Sequence, residues 1–461
     1  MSTCPPRATR RPRSRATTQR RAPTRCRPEG GRARHNDRVI EQGHNRRRAA
    51  VTLLGYTSFL LIGWAGVLVP ALIRPIEDAF GQSDAGIGVF YLIFAAFAAL
   101  GQASGGLLTE RVGRRTVLVA AGLLLGTGLA ALALAPTWAV FMAAAVPAGL
   151  GGGAIDGGVN GLFLALHPRP RGGALNRLHL FFAIGALVAP FVAGRLVIAG
   201  IAWPAVLLAT GVVALAVALF FGIVEMPSGR VEWAASAAVE PSVDPATRPE
   251  ADGSRSRERR IGIDARPFAF LAVGIGSYVA AEIGVSNWVV RFFDSAPLDV
   301  ATASLSLFWG GLTAGRLLSS AIADRFDPVA FAAGSVGLAA AALVGAVLAP
   351  SVPLSIALFA LGGVCFGPVY PMIMVVGGTL YPHRLAAVSG GLGGAAVVGS
   401  IFYPPLVGLI SVQVGIGAGM LGAGLLSVVC AVALVGASFF ARRLSVRPDP
   451  AGTTAAGAGP G

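Results

Sequence analysis

The sequence predicts an all-α polytopic membrane protein, with twelve transmembrane helices in two six-helix halves. Three observations predict it. Of 461 residues, 54% are hydrophobic, about 249 side chains, close to the roughly 240 residues that twelve spans of about 20 would use. Only 13% are charged, about half the quarter usual in soluble domains. Those charges fall between long uncharged runs, because a charge at the bilayer centre costs at least about 2.5 kcal/mol. Such a chain has too few polar residues to cover a soluble surface, so a soluble enzyme is excluded.

The uncharged runs give the spans in order. The first is 51–73 and the second 85–109. The run 116–155 breaks at Pro136 and Thr137, giving a third span near 116–135 and a fourth near 139–166. The fifth is about 176–198, the sixth 203–224, the seventh 267–290 and the eighth 301–323. The run 328–383 divides at Pro350 and Pro353 into the ninth and tenth, and 385–441 divides near Ser411 and Gln413 into the eleventh and twelfth. Around them, residues 1–49 read as a disordered Arg-rich tail, 50–224 as the N-terminal half, 225–266 as a disordered linker, 267–441 as the C-terminal half and 442–461 as a second tail.

The net charge of +15 belongs to the tail. All 37 basic residues are Arg, and residues 1–48 hold 15 of them against Glu29, Asp37 and Glu41 alone. No nucleic-acid partner is implied. The tail is expected to lie against anionic lipid. The same composition also fits a transit peptide or twin-arginine export signal, and a start at Val39 or Val51 would leave it out altogether. Cys4, Cys26, Cys365 and Cys430 lack metal-ligand spacing, and no metal or cofactor is expected.

Positive charge also sets orientation. Arg111, Arg114 and Arg115 follow the second span, Arg169, Arg171 and Arg177 surround the turn after the fourth, and Arg325, Arg384, Arg442, Arg443 and Arg447 follow later even-numbered spans. The opposite side has only Arg74, Arg195 and Arg291, with acids such as Glu77, Asp78, Asp84, Asp294 and Asp299. Both termini are expected to be cytoplasmic in a plasma (inner) membrane protein.

An internal duplication is legible too. Glu110-Arg111 after the second span and Asp324-Arg325 after the eighth are 214 residues apart, as are Pro190 and Pro404. Long chains of this kind are often built from two parallel repeats. The first of these turns reads Gly106-Leu-Leu-Thr-Glu110-Arg111-Val-Gly113-Arg114-Arg115. It resembles the signature loop of the major facilitator superfamily, Gly-x-Leu-x-Asp-Arg-x-Gly-Arg-Arg, with Glu110 in place of Asp. Gly113 would permit the tight turn, and the acids and arginines of both turns (Glu110, Arg111, Arg114, Arg115, Asp324, Arg325) would pair across the halves as a gate.

Four further segments narrow the resemblance: Gly151–Asn160 with Asp156, Leu175–Pro190 with Asn176 and His179, Tyr278-x3-Glu282-x5-Trp288, and Phe308-Trp309-Gly310 with Arg316. Together they are similar to the fucose–galactose–glucose:proton symporter branch. Members of that branch use an acid on the fourth span, where Asp156 falls. Some use another on the first, where this chain has none.

Asp156 and Glu282 are the acids deep inside spans. At 1.5 Å per residue they lie about 15 Å and about 22 Å from the cytoplasmic ends of their helices, and Arg316 about 11 Å. Buried ionisable groups at this depth are functional candidates. If Asp156 pairs with Arg316, Glu282 is the better proton carrier; if not, Asp156 is. Helical spacing puts Asp156 with Asn160, Asn176 with His179 and Tyr278 with Glu282 on shared faces. Amide and carboxylate groups suit sugar hydroxyls, and Trp288, Trp309 or Trp64 suits a pyranose face. Each Trp is equally explained by packing or by the membrane interface.

The expected function is secondary active transport by a monomer: proton-coupled uptake of a small neutral solute such as a monosaccharide. Proton-driven efflux of lipophilic compounds is the alternative, and a non-transporting membrane sensor or scaffold the alternative of another class. No nucleotide-binding Gly-Lys-Ser/Thr loop is present to couple ATP.

Overall fold

The computed structural model describes residues 30–167, 171–224, 226 and 265–445, and among them there is helix and no strand. Contacts divide the chain into Met1–Arg46 and Arg47–Gly461. In the first unit the chain is helical from Gly30, where composition predicted a disordered tail as far as residue 49. The reason is local: no proline follows Pro28 before the first span, and Arg, Ala, Glu and Gln all favour helix. The linker expected over 225–266 lies almost wholly outside the described residues, as does the C-terminal tail beyond Ser445. The second unit holds the membrane-spanning body.

Eleven helices among the described residues are long and apolar enough to cross a membrane. The twelfth, Leu298–Ile322, has 25 residues and carries Asp299, Thr302, Ser304, Ser306, Arg316 and Ser319. The second to ninth spans are Asp84–Val112, Arg114–Ala133, Trp138–Leu166, Arg171–Ile198, Trp203–Ile223, Ala265–Phe292, Leu298–Ile322 and Pro328–Leu348. The tenth is broken into Val352–Phe366 and Val369–Leu380, and the last two are Leu385–Val414 and Ile416–Ser445.

Breaks fall where the backbone demands them. The first span, read from sequence as continuous over 51–73, stops at Gly66 and resumes as Leu68–Ala71, and a separate short helix, Ile73–Phe80, follows it. Pro70 has no N–H to continue the ladder. The eleventh span runs through Ser411 and Gln413 and stops at Gly415, whose φ of +91° is a conformation other residues rarely adopt. Gly113 makes the corresponding turn after the second span with φ +87°.

The duplication is visible in packing. A Cβ on Gly101 would lie 2.3 Å from the Leu150 carbonyl oxygen of the fourth span, and one on Gly315 would lie 2.0 Å from that of Val364 in the tenth. A Cβ on Gly149 would lie 2.5 Å from the Phe94 oxygen, and one on Gly363 2.3 Å from that of Phe308. All four pairs of equivalent positions are 214 residues apart. The second and fourth spans, and the eighth and tenth, therefore meet backbone to backbone, as small residues allow in lipid. The third and sixth spans pack together, as do the ninth and twelfth. These helices expose apolar side chains such as Val212, Leu219, Leu338 and Val432. The halves meet where the second span packs on the eleventh and the fifth on the eighth.

Candidate functional site

A cavity of about 300 Å³ lies between the halves. Its walls come from the first, second, third, fourth, fifth, seventh, eighth and eleventh spans. Phe90, Tyr91, Phe94, Phe182 and Trp309 supply aromatic surface, while Gln102, Asp156, Ser286, Asn287 and Ser400 supply polar groups. No arginine or histidine lines it among the described residues.

Asp156 is held between two amides. Its Oδ1 accepts from Asn160 Nδ2 at 2.9 Å, one helical turn on, and its Oδ2 accepts from Gln102 Nε2 of the second span. The close seam makes this reach possible: a Cβ on Gly157 would lie 2.4 Å from the Gln102 carbonyl oxygen. Arg316 lies elsewhere, in electrostatic reach of Tyr278 and Glu282. The Tyr278 hydroxyl donates to Glu282 Oε2, and both side chains are buried. Gly367, at the break in the tenth span, fixes Arg316 from behind; a Cβ there would lie 2.5 Å from the Arg316 amide nitrogen. Tyr370, beyond that break, lies in electrostatic reach of Asp156, Glu282 and Arg316 together.

The sequence-predicted residues thus divide. Asp156 and Trp309 line the cavity, and Trp309 Nε1 donates to Ser286 Oγ at 3.0 Å. Asn160 reaches the site through Asp156. Buried Tyr278 and Glu282 form a separate cluster with half-buried Arg316. Asn176 and His179 are exposed toward the arginine-rich end, His179 edge-on to Phe59 with ring centres 5.3 Å apart. Trp288 is a correction to the stacking expectation: it is 0% exposed, and its Nε1 donates to the Pro404 carbonyl at 2.9 Å. Gln102, Asn287, Phe182 and Tyr370 were missed, because nothing in an amide or an aromatic ring on an apolar helix signals which way it faces.

The expected gating residues lie at the arginine-rich end. Arg111, Gly113, Arg115 and Arg325 are exposed and Arg114 is half-buried, while the side chains of Glu110 and Asp324 lie outside the described residues. Ion pairs between the halves stand at the opposite, acidic end. Arg74 Nε meets Asp294 at 3.2 Å, Arg291 Nε meets Asp84 at 2.8 Å and Glu77 at 3.2 Å, and Arg195 meets Asp299 at 3.8 Å. Ser411 of the eleventh span donates to Asp84 Oδ2. Beneath them Tyr91 donates to the Asn287 carbonyl at 3.1 Å and packs edge-on against Trp288, closing the cavity on this side. The signal for this network was present: the three arginines that depart from the positive-inside pattern are the three that pair here. Glu77, on the short helix beyond the first span, has its carboxyl pushed up to about 8, by burial and by the adjacent Asp84, against the opposing pull of Arg291.

Residues 53–328 and 267–460 match the family model described as Major Facilitator Superfamily. The chain is 24% identical over 417 residues to "Membrane protein MosC" of Rhizobium meliloti, covering 88% of this chain and 93% of that protein. It is 32% identical over 154 residues to a "Putative glucose/galactose transporter" of Helicobacter pylori, covering 31% of this chain and 36% of that protein. With the "Gentisate transporter" of Corynebacterium glutamicum it shares 24% identity, covering 80% and 82%. Two solved structures share the fold. One is a bacterial homolog of the human lysosomal transporter Spinster in an inward-facing, unoccupied conformation, with TM-score 0.64, 18% identity and coverage of 88% and 99%. The other is a D-xylose-proton symporter, with TM-score 0.66, 16% identity and coverage of 84% and 96%.

Proposed function

The chain belongs to the Major Facilitator Superfamily, and we propose that it is a plasma-membrane transporter that takes up a small neutral solute of monosaccharide type together with a proton. The observation that carries this reading is Asp156. It is a carboxylate in the cavity wall whose hydrogen-bond partners are neutral amides and which no guanidinium neutralises. Such a group can take a proton in one state and release it in another, whereas a neighbouring cation biases an acid toward its ionised form. Glu282, beside Arg316, has the structural role and Asp156 the coupling role.

The wall also bears on the substrate. An anion would face Asp156 with no arginine in the lining, while a neutral polyol finds amides and hydroxyls beside the Trp309 and Phe182 rings. The relative named as a glucose/galactose transporter supports the same class. The largely aromatic and aliphatic wall favours a second reading, proton-driven efflux of lipophilic compounds. Positive charge assigns the arginine-rich end to the cytoplasm. The state described is then closed to the outside, as one of the two states that alternating access needs must be.

The test is accumulation of labelled monosaccharides in proteoliposomes with an imposed proton gradient. Uptake should be abolished by an uncoupler. Asp156→Asn keeps shape and hydrogen bonding but fixes the group as neutral, so it should abolish accumulation and spare exchange of preloaded substrate. Uncoupler-sensitive accumulation by the Asn variant would overturn the assignment. Extrusion of lipophilic dyes, with no sugar uptake, would select the second reading.

A further inference from the structure

We propose that the carboxyl pair Glu77–Asp84 is a second proton-binding site, and that loading it with one proton closes the acidic end of the bundle. The site goes beyond the transport reading and draws on it only in naming this end external.

The geometry is that of two acids competing for one hydrogen. The single Nε–H of Arg291 faces Asp84 Oδ1 at 2.8 Å and Glu77 Oε2 at 3.2 Å. Its Nη1 is occupied by Asp294 at 2.8 Å. Arg74, one turn before Glu77, faces Asp294 and the Ala296 carbonyl, the latter at 3.0 Å. Ser411 serves the other oxygen of Asp84. Glu77 Oε1 is left buried with no hydrogen-bond partner, on a residue only 9% exposed. The remaining neighbours add nothing to neutralise it: Tyr91 from the second span, in electrostatic reach of both acids, and exposed Asp78 on the same short helix.

Counting charge gives the same answer. Glu77, Asp84 and Asp294 face Arg74 and Arg291, so the closed network carries one negative charge too many. A proton from the external water removes it. It also converts the contact between the Glu77 and Asp84 carboxyls from a repulsion into a hydrogen bond, because two ionised carboxylates have no donor between them. When the halves part, Arg291 on the seventh span separates from Glu77 and Asp84 on the first half, water reaches both acids, and the proton is free to leave.

The sign follows from linkage. The Glu77 carboxyl lies at about 8 in the closed state against an ordinary 4.5. The closed state therefore binds the proton more tightly, and acid favours closure. Between those two values each unit rise in pH shifts the balance toward opening by up to about tenfold; above and below the window it is flat.

The experiment is pulsed electron paramagnetic resonance on the full chain in nanodiscs, in a background cleared of native cysteines. Spin labels go at Ala199 and Ser351, exposed positions at this end on opposite halves. In the otherwise unaltered chain a longer distance should grow in from pH 5 to pH 8 and then level. Glu77→Gln should hold the short distance throughout. Asp84→Asn should do the same, since one carboxylate on Arg291 needs no proton. Asp78→Asn, at the exposed acid next to Glu77, should keep the full response, which separates this pair from the general acidity of this end. A distance unchanged by pH in the unaltered chain would overturn the proposal without any variant. So would a Glu77→Gln chain that titrates like it, and neither result would touch the transport assay of Asp156.

Discussion

Trp288 and Trp309 show how far one side chain can be read from sequence. Both sit on spans of the C-terminal half, near the middle or outer third, and composition gives them equal standing. Packing separates them: Trp288 is sealed against Pro404 and Tyr91, while Trp309 faces the cavity. Trp309, 4% exposed but lining the cavity, should on change to Ala weaken substrate binding at least tenfold in an equilibrium binding assay as well as lower the melting temperature. Trp288→Ala should instead cost about 3–5 kcal/mol of stability, as burial of a large aromatic implies, and lower the melting temperature first. Asp156 was legible because a lone acid in an apolar run is too costly to bury without a use. Its partner Gln102 was not, since only the closeness of two helices brings it there.

At the scale of the helix, the bilayer made the spans legible and the seams between them illegible. The cost of a buried charge fixes where a helix can cross, so even the polar eighth span is found by exclusion. Which face of that helix meets which neighbour depends on contacts made by residues far away in the chain. The glycine seams give a sharp test. A Cβ at Gly153 would lie 1.9 Å from the Ala98 carbonyl oxygen, whereas at Gly334 it meets nothing within 4 Å. Gly153→Ala should therefore lower the melting temperature, by the roughly 1–3 kcal/mol typical of overpacking. Gly334→Ala should raise it slightly, by up to about 1 kcal/mol of helix propensity. Equal shifts in differential scanning fluorimetry would show that the seam does not constrain the helices.

For the whole molecule, the duplication could be read from a repeated offset, but the pairing at the closed end could not. Glu77 and Arg291 are themselves 214 residues apart, at matching places in the two halves, yet nothing local marks them as partners. Because Arg291 alone meets three carboxylates, Arg291→Gln should free the acidic end. Labelling of a cysteine placed at Ala95 in the cavity wall by an impermeant thiol reagent from that side should rise severalfold. Unchanged labelling would mean that the aromatic layer of Tyr91 and Trp288 closes this end without help from charge.

A seam built from glycine has another consequence, a mechanical one. Side chains in contact can change rotamer and let two helices creep past each other, but backbones in contact have nothing to rearrange. The second and fourth spans, like the eighth and tenth, are in effect welded. Deformation during a transport cycle is then carried by the joints between second and eleventh spans and between fifth and eighth. There the main chains also come close near the acidic end, where a Cβ on Gly408 would lie 2.4 Å from the Asp84 carbonyl oxygen, so parting the halves must break that contact together with the ion pairs.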